Sequence, residues 1–257
     1  MPHISLAAEK LWIIGGILPI TNALLTTWLV MAMLFLFAYR ASCRLTLVPS
    51  TIQSLAEMII GGLYDFFHGV IGDHIKLVFP LIASLFLFII IANWVGLLPG
   101  VGTIGFFHGE AVPAGRQEFT PLLRGATADL NTTLALAIVA VGAIQYFGFT
   151  SLGASYGGRF FDIRSPIYFF VGLLELISDV SKVVSFAFRL FGNIFAGEVL
   201  LAVMAFLMPF IVPLPFLMLE LFVGFIQALV FSMLTAVFLN VAVSHGQEGS
   251  EGVSHNG

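Results

Sequence analysis

The chain has 257 residues, of which 59% are hydrophobic and only 9% are charged. This composition lies far outside the range of soluble domains and predicts a protein embedded in a lipid bilayer. The formal net charge is only -4, and the basic residues form no cluster of the kind that binds nucleic acid. Because Cys43 is the only cysteine, an internal disulfide and a multi-cysteine metal site are both excluded.

Up to residue 150, hydropathy predicts three membrane spans, because a spanning helix needs about 20 predominantly apolar residues. The N-terminal run LWIIGGILPI is followed by no convincing cleavage site, so we do not expect a removable signal peptide. Between the first two spans, apolar residues recur at helical spacing after Ser50, a candidate N-cap, and predict an amphipathic helix at the membrane interface. The predicted spans lie near 23–40, 78–99 and 132–150, and the interfacial helix lies near 50–72.

The second half contains two apolar regions that are longer than a single span requires. The breaker VPLPF at 212–216 divides them, so we expect a hairpin of two long helices near 166–211 and 216–243. Their excess length implies strong tilt in the membrane. The sequence therefore predicts an all-α integral membrane protein of about five to six helices, with residues 1–257 forming a single membrane domain. Five basic residues on one side against three on the other place the C-terminus inside and the N-terminus outside.

The long apolar region carries an arginine, Arg189, in the stretch SFAFRLFGNIFAGE. At 100° per residue it shares one helix face, within about 40°, with a stripe of small and polar residues. A guanidinium keeps its proton and is costly at membrane depth, so Arg189 needs a carboxylate or water beside it. Earlier on the same helix, Glu175, Asp179 and Lys182 are spaced to form a structural charge ladder. The stripe contains Ser178, Lys182, Ser185, Arg189, Asn193 and Ala196.

Two carboxylates lie near the predicted hairpin turn. Glu198 follows Arg189 by nine residues and is therefore about 180° around the helix from it. On the next helix Glu220 and Gln227 share a face with Gly224. Folding at VPLPF could bring Glu198 and Glu220 into one polar cavity. Such carboxylates serve proton exchange or, in the alternative reading, form ordinary hydrogen bonds that pack helices together.

Two classes of protein are alternatives to one that moves protons through these carboxylates together with a partner. A self-contained proton-coupled transporter would also use buried Arg and Glu, but it should show an internal repeat and broken helices, and the sequence shows neither. A structural scaffold would explain the hydrophobicity but not the polar stripe. The loop 100–126 contains His108, Glu110 and Glu118, which could guide ions, although we expect an ordinary solvated loop.

Several segments together resemble subunit a of rotary F-type ATP synthases, in its bacterial form. The resemblance covers most of the chain, and its longest motif is specific. In chain order the matching segments are LPITNALLTTWLV, ATADLNTTLALA, LLELISDVSKVVS, SFAFRLFGNIFAGEVLL and FIQALVFSMLT.

The resemblance implies a stator that lies against a ring of c subunits and provides two aqueous half-channels for ions. Arg189 matches the essential arginine that meets the ring carboxylates, and Asn193 matches the asparagine one turn later. Glu198 matches a carboxylate of the outer half-channel, and Gln227 matches a glutamine near the arginine. Glu220 occupies a position where some members carry histidine, and this departure leaves open which group relays the proton, since either can exchange one.

The resemblance also sets the cellular context. Glu175 and Lys182 match polar positions of the family, and Asp129 matches an aspartate at the outer end of the third span. The chain is expected in the bacterial inner membrane, with the c-ring and the b subunits of the peripheral stalk as partners. It would perform no bond chemistry, bind no nucleotide and need no cofactor. The expected ion is the proton, with sodium as the alternative.

Overall fold

The computed structural model describes residues 10–14, 18–43, 49–72, 75–98, 101, 104–108, 118–152, 166–208 and 211–254. These residues form six α-helices, two short antiparallel β-hairpins and one 3-10 turn at Ala126–Ala128. The helices are α1 (Asn22–Ser42), α2 (Thr51–Ile71), α3 (Ile75–Gly96), α4 (Leu130–Leu152), α5 (Pro166–Leu207) and α6 (Pro213–Ser254). The strands are β1 (Lys10–Ile14), β2 (Leu18–Thr21), β3 (Gly105–His108) and β4 (Glu118–Pro121).

Five of the helices in the described part of the chain are long and apolar enough to cross a membrane. The remaining helix, α2, is the predicted amphipathic one. Its start is fixed as expected, because the Ser50 hydroxyl accepts a hydrogen bond of 3.4 Å from the Gln53 backbone N–H. The prediction of an all-α membrane protein with a long helical hairpin and one amphipathic helix is confirmed.

The helix bounds near the hairpin turn differ from the predicted ones for a local reason. Helix α5 ends at Leu207 rather than near 211, because Met208 precedes Pro209 and the residue before a proline is disfavoured in the α conformation. Helix α6 begins at Pro213 rather than near 216, because proline is well tolerated at the first helical position. The breaker VPLPF therefore contributes its first proline to the start of α6.

The two β-hairpins are not among the predicted elements. Strands β1 and β2 pair antiparallel, with Ile14 opposite Leu18, and β3 and β4 pair with Phe107 opposite Phe119. Each strand has only four or five residues, so a search for apolar stretches of about 20 residues does not detect it. Only the Gly15-Gly16 pair between two apolar runs is a typical hairpin signal.

The chain divides into two compact units, each with its own buried cluster. The first unit comprises the described residues of Met1–Ser54, Leu87–Thr133 and Arg189–Ala228. Its buried side chains include Val30 of α1, Ala92 of α3 and Ala126. The second unit comprises the described residues of Leu55–Phe86, Leu134–Phe188 and Leu229–Gly257. Its buried cluster joins four helices and contains Phe67, Ile71, Ile75, Val78, Ile82, Ile144, Ala236, Leu239 and Ala242.

Candidate functional site

The polar stripe of α5 meets α6 at a side-chain hydrogen bond in the first unit. The Asn193 amide nitrogen donates to the Gln227 side-chain oxygen over 2.6 Å. Arg189 lies one helical turn before Asn193 and is exposed on the surface of this chain, whereas Gln227 is buried. The two helices therefore pack so that Asn193 and Gln227 contact each other one turn away from Arg189.

The Glu220 carboxylate on α6 is buried against the backbone of α5. A Cβ atom added at Gly197 would collide with the carboxylate carbon and both carboxylate oxygens of Glu220. Glycine at this position therefore creates the space that the acid occupies. Because Gly197 precedes Glu198, the hairpin brings Glu220 to the turn of α5 that carries the other predicted acid.

Glu198 has a partner that the sequence did not indicate. The Arg124 guanidinium lies close to it, with 3.5 Å between Arg124 Nε and Glu198 Oε2. Gly125 also approaches, since a Cβ there would lie 2.8 Å from Glu198 Oε1. The expectation of a solvated loop is wrong for its last residues, because Gly125 and Ala126 are buried and the Arg124 side chain is only 11% exposed.

A buried asparagine on α3, also missed from the sequence, connects the site to its surroundings. The Asn93 amide nitrogen donates to the Gly224 carbonyl over 3.0 Å, and its oxygen accepts from the Thr127 hydroxyl over 2.8 Å. A Cβ at Gly224 would lie 3.2 Å from the Asn93 Cβ, so the glycine permits this close approach. Asn93 therefore fixes the turn of α6 that lies between Glu220 and Gln227.

Two atoms of the site are buried and have no hydrogen-bond partner within the described part of the chain. They are Glu220 Oε1 and Gln227 Nε2. Buried polar atoms of this kind are normally satisfied by water or by a neighbouring molecule. They mark a face of α6 on which contact with water or with a neighbouring molecule is expected.

The second unit holds a separate polar cluster in which the expected ladder is partly seen. Lys182 Nζ lies 2.7 Å from Asp179 Oδ1, and the Gln145 amide donates to Asp179 Oδ2 over 2.8 Å. Lys182 also lies over the ring of Phe238, 4.9 Å from its centroid. Glu175 is half-buried one turn before Asp179 on the same helix. The cluster thereby ties α4, α5 and α6 together within this unit.

Asp129 has a structural role in the fold. Its carboxylate accepts hydrogen bonds from the backbone N–H and the side-chain amide of Asn131, over 3.1 and 3.2 Å, at the start of α4. Among the described residues, no group of three or more His, Cys, Asp or Glu side chains is arranged to hold a metal ion. Of the acids and histidine considered in the loop, Glu110 and the side chains of His108 and Glu118 lie outside the described residues.

The chain is also similar in sequence to known proteins. Residues 24–240 match the family described as ATP synthase A chain. A protein of Citrifermentans bemidjiense named ATP synthase subunit a is 35% identical over 227 residues, which cover 87% of this chain and 88% of that protein. Another with the same name, from Legionella pneumophila strain Paris, is 32% identical over 242 residues and 94% of both chains.

Proposed function

Because the chain belongs to the ATP synthase A chain family, we propose that Arg189 meets the carboxylates of a c-ring and favours their ionised form. This subunit would provide the two half-channels through which ions reach and leave those carboxylates. The chain is a multi-pass protein of the bacterial inner membrane and works within the ATP synthase complex as its membrane stator. Its proposed partners are the c-ring, which turns against it, and the b subunits of the peripheral stalk, which hold it still.

The single observation that carries the proposal is the position of Arg189. It is exposed on the apolar helix α5, one turn from the hydrogen bond between Asn193 and Gln227. A guanidinium retains its charge at any ordinary pH, and its cost in a bilayer falls when an anion lies beside it. A ring carboxylate that passes this surface would be stabilised in its ionised form there. The same charge would prevent ions from crossing directly between the two half-channels.

Glu198 and Glu220 are proposed to carry ions in the outer half-channel. Glu220 is buried at Gly197 with one carboxylate oxygen unpaired among the described residues, and Glu198 lies one residue beyond that contact. Carboxylates at membrane depth that are accessible to water can take up and release protons. Gln227 is proposed to orient Asn193 next to Arg189. Glu175, Asp179, Lys182 and Asp129 are proposed as supporting polar residues.

Rotation allows this arrangement to do work. One elementary charge that crosses about 100 mV releases only about 2.3 kcal/mol, so several ions must be added together to drive the synthesis of one ATP. Each ring carboxylate would lose its proton near Arg189 and regain one before it faces lipid, because an ionised carboxylate in hydrocarbon is too costly. This subunit itself is proposed to perform no bond chemistry and to bind no nucleotide or cofactor. Protons are the proposed ions, and sodium is the alternative.

The proposal is tested by replacing Arg189 in the assembled complex. Arg189→Ala and Arg189→Gln should abolish ATP-driven proton pumping in inverted membrane vesicles, and Arg189→Lys should fail too, because lysine lacks the planar fork and can lose its proton when buried. Arg189→Ala should also raise passive proton flux after the catalytic head is removed. Arg40→Gln, which changes an exposed arginine of α1, is the matched control and should pump normally.

Two results would contradict the proposal in different ways. Normal pumping by assembled Arg189→Ala complex would overturn the role of Arg189, whereas lost pumping without added leak would remove only its role as a barrier.

Reconstitution of the chain alone separates a stator from a stand-alone transporter. The stator should conduct almost nothing without the ring, and substantial proton uptake by the isolated chain would favour the transporter.

A further inference from the structure

We propose that Arg124 is a positioning residue for ion transfer: its guanidinium fixes the Glu198 carboxylate and places a permanent positive charge beside the two acids. This inference rests on the proposed function of Glu198 and Glu220. Arg124 comes from the segment between β4 and the 3-10 turn, far from α5 in the sequence, and its partner carboxylate lies 3.5 Å away.

The backbone that carries Arg124 is held in place from two sides. The Arg124 backbone N–H donates to the Thr26 hydroxyl of α1 over 3.3 Å. The next residue packs against α3, since a Cβ at Gly96 would lie 3.0 Å from the Gly125 Cα. Ala126 is fully buried. A side chain that begins on such a fixed segment loses little additional freedom when it binds a carboxylate, so the position of the guanidinium is well defined.

The environment of the ion pair favours a specific contact over a diffuse one. The side chains of Arg124 and Glu198 are only 11% and 26% exposed, so solvent screens the pair less than it would at a surface. Glu220 also lies near Glu198, since it approaches from α6 beside Gly197. Arg124 therefore supplies the positive charge in a place that otherwise collects two acids.

The positive charge has a functional consequence for the acid pair. Two neighbouring carboxylates repel each other when both are ionised, and a cation held beside one of them reduces that repulsion. Arg124 holds the Glu198 carboxylate and Gly197 provides the space for the Glu220 carboxylate, so the two acids are held at the same turn of α5. Proton transfer depends steeply on the distance between the groups, so removal of Arg124 should slow transfer through Glu198 even when the fold is intact.

The first test compares pumping by Arg124 variants in the assembled complex. We expect Arg124→Gln to lower ATP-driven proton pumping by about five- to tenfold. This loss corresponds to an ion pair that is worth more than an exposed pair and less than a fully buried one. Arg124→Lys should restore at least part of the rate, because it keeps the charge. In a Glu198→Gln background, Arg124→Gln should cause no further loss, since its target is already absent. Arg40→Gln is again the control for a generic loss of positive charge.

The second test reads the charge of Arg124 directly. In a Cys43→Ser background, the thiol of Glu198→Cys is reacted with two small methanethiosulfonates, the anionic sulfonatoethyl and the cationic trimethylammonioethyl reagent. The ratio of the anionic to the cationic rate should fall by about tenfold when Arg124→Gln is added, from the Coulomb energy of unit charges roughly 5 Å apart in a wet site. A role of Arg124 in packing alone would leave this ratio unchanged.

The outcomes distinguish this inference from the proposed function. If Arg124→Gln pumps normally, or if the labelling ratio does not change, the positioning role is refuted while the role of Arg189 stands. If Arg189→Ala pumps normally, the proposed function fails whatever Arg124 does. If Arg124→Gln lowers the amount of complex, the labelling ratio in the assembled fraction still decides between a charge effect and a packing effect.

Discussion

One methyl group at Gly197 should disable ion transfer without unfolding the subunit. In Gly197→Ala the new Cβ would occupy the position of the Glu220 carboxylate, in collision with its carbon and both oxygens. Carbon atoms in good contact lie about 3.5–4.0 Å apart, so the carboxylate would have to move by at least about 1 Å. The substitution therefore displaces the Glu220 carboxylate without removing any ionisable group from the chain.

The effects of Gly197→Ala on stability and on function can be estimated separately. In a helix interior alanine is favoured over glycine by about 0.8–1 kcal/mol, whereas an overpacked contact costs about 1–3 kcal/mol. These opposing terms should leave the free energy of unfolding within about 2 kcal/mol of the original value. In contrast, a misplacement of about 1 Å at a reacting group can cost about 100-fold in rate. We expect ATP-driven pumping to fall by about tenfold or more in fully assembled complex.

The assay uses inverted membrane vesicles with a pH-sensitive dye, and immunoblots report the amount of assembled complex. Gly142→Ala is the matched control, because it adds the same methyl group to α4 at a position where, among the described residues, nothing beyond its own stretch of helix backbone lies within 4 Å. It should pump at the original rate. If assembled Gly197→Ala complex pumps as well as Gly142→Ala, the contact between Gly197 and Glu220 does not position the acid for transfer, and the reasoning is refuted.

Two further predictions concern the hydrogen bonds that hold the site and the second cluster. Asn93→Leu removes the acceptor of the Thr127 hydroxyl and should lower the stability of the complex to heat by about 1–3 kcal/mol. Thr127→Val in the same chain should lower it no further, because the two residues share one hydrogen bond. Additive losses in thermal melting would contradict this. Gln145→Leu should lower the stability by only about 1 kcal/mol, less than Lys182→Leu, because Asp179 keeps its ion pair with Lys182. A larger loss of stability in Gln145→Leu than in Lys182→Leu would contradict this prediction.

Hydropathy and proline placement are sufficient to predict most of the helical architecture. Each long helix must satisfy its backbone hydrogen bonds internally in a bilayer, so a run of about 20 apolar residues has few alternatives to a helix. Helical periodicity placed Asn193 on the polar stripe of Arg189, and the family resemblance implied that Gln227 lies near that arginine; the structure joins Asn193 to Gln227 over 2.6 Å. These features depend on residues that are neighbours in sequence or on a single turn between two helices.

Contacts between distant segments could not be predicted in this way. Asn93 and Gly224 are separated by 131 positions, and their contact depends on how α3 packs against α6. Arg124 follows a β-hairpin whose strands are too short for a hydropathy signal, so its direction relative to Glu198 cannot be read from spacing. The sequence offered only two glycines as a clue to these contacts. Gly197 and Gly125 both lie where a side chain would collide with a carboxylate, but glycines are also common in membrane helices for packing reasons.

Arg124 and Arg189 of the first unit differ in exposure, and the difference fits the roles proposed for them. Arg124 is largely buried and has a carboxylate of its own chain within 3.5 Å, so its charge is balanced by a permanent contact. A permanent contact fixes geometry, which suits a positioning role. Arg189 is exposed on an apolar helix, where, in the proposed function, the carboxylate of a moving ring would approach and leave. An arginine that held such a partner in a buried, permanent pair would bind it too firmly for turnover. Breaking a buried pair costs about 3–5 kcal/mol. One charge that crosses about 100 mV gains only about 2.3 kcal/mol. Exposure of Arg189 is thus what its proposed role requires.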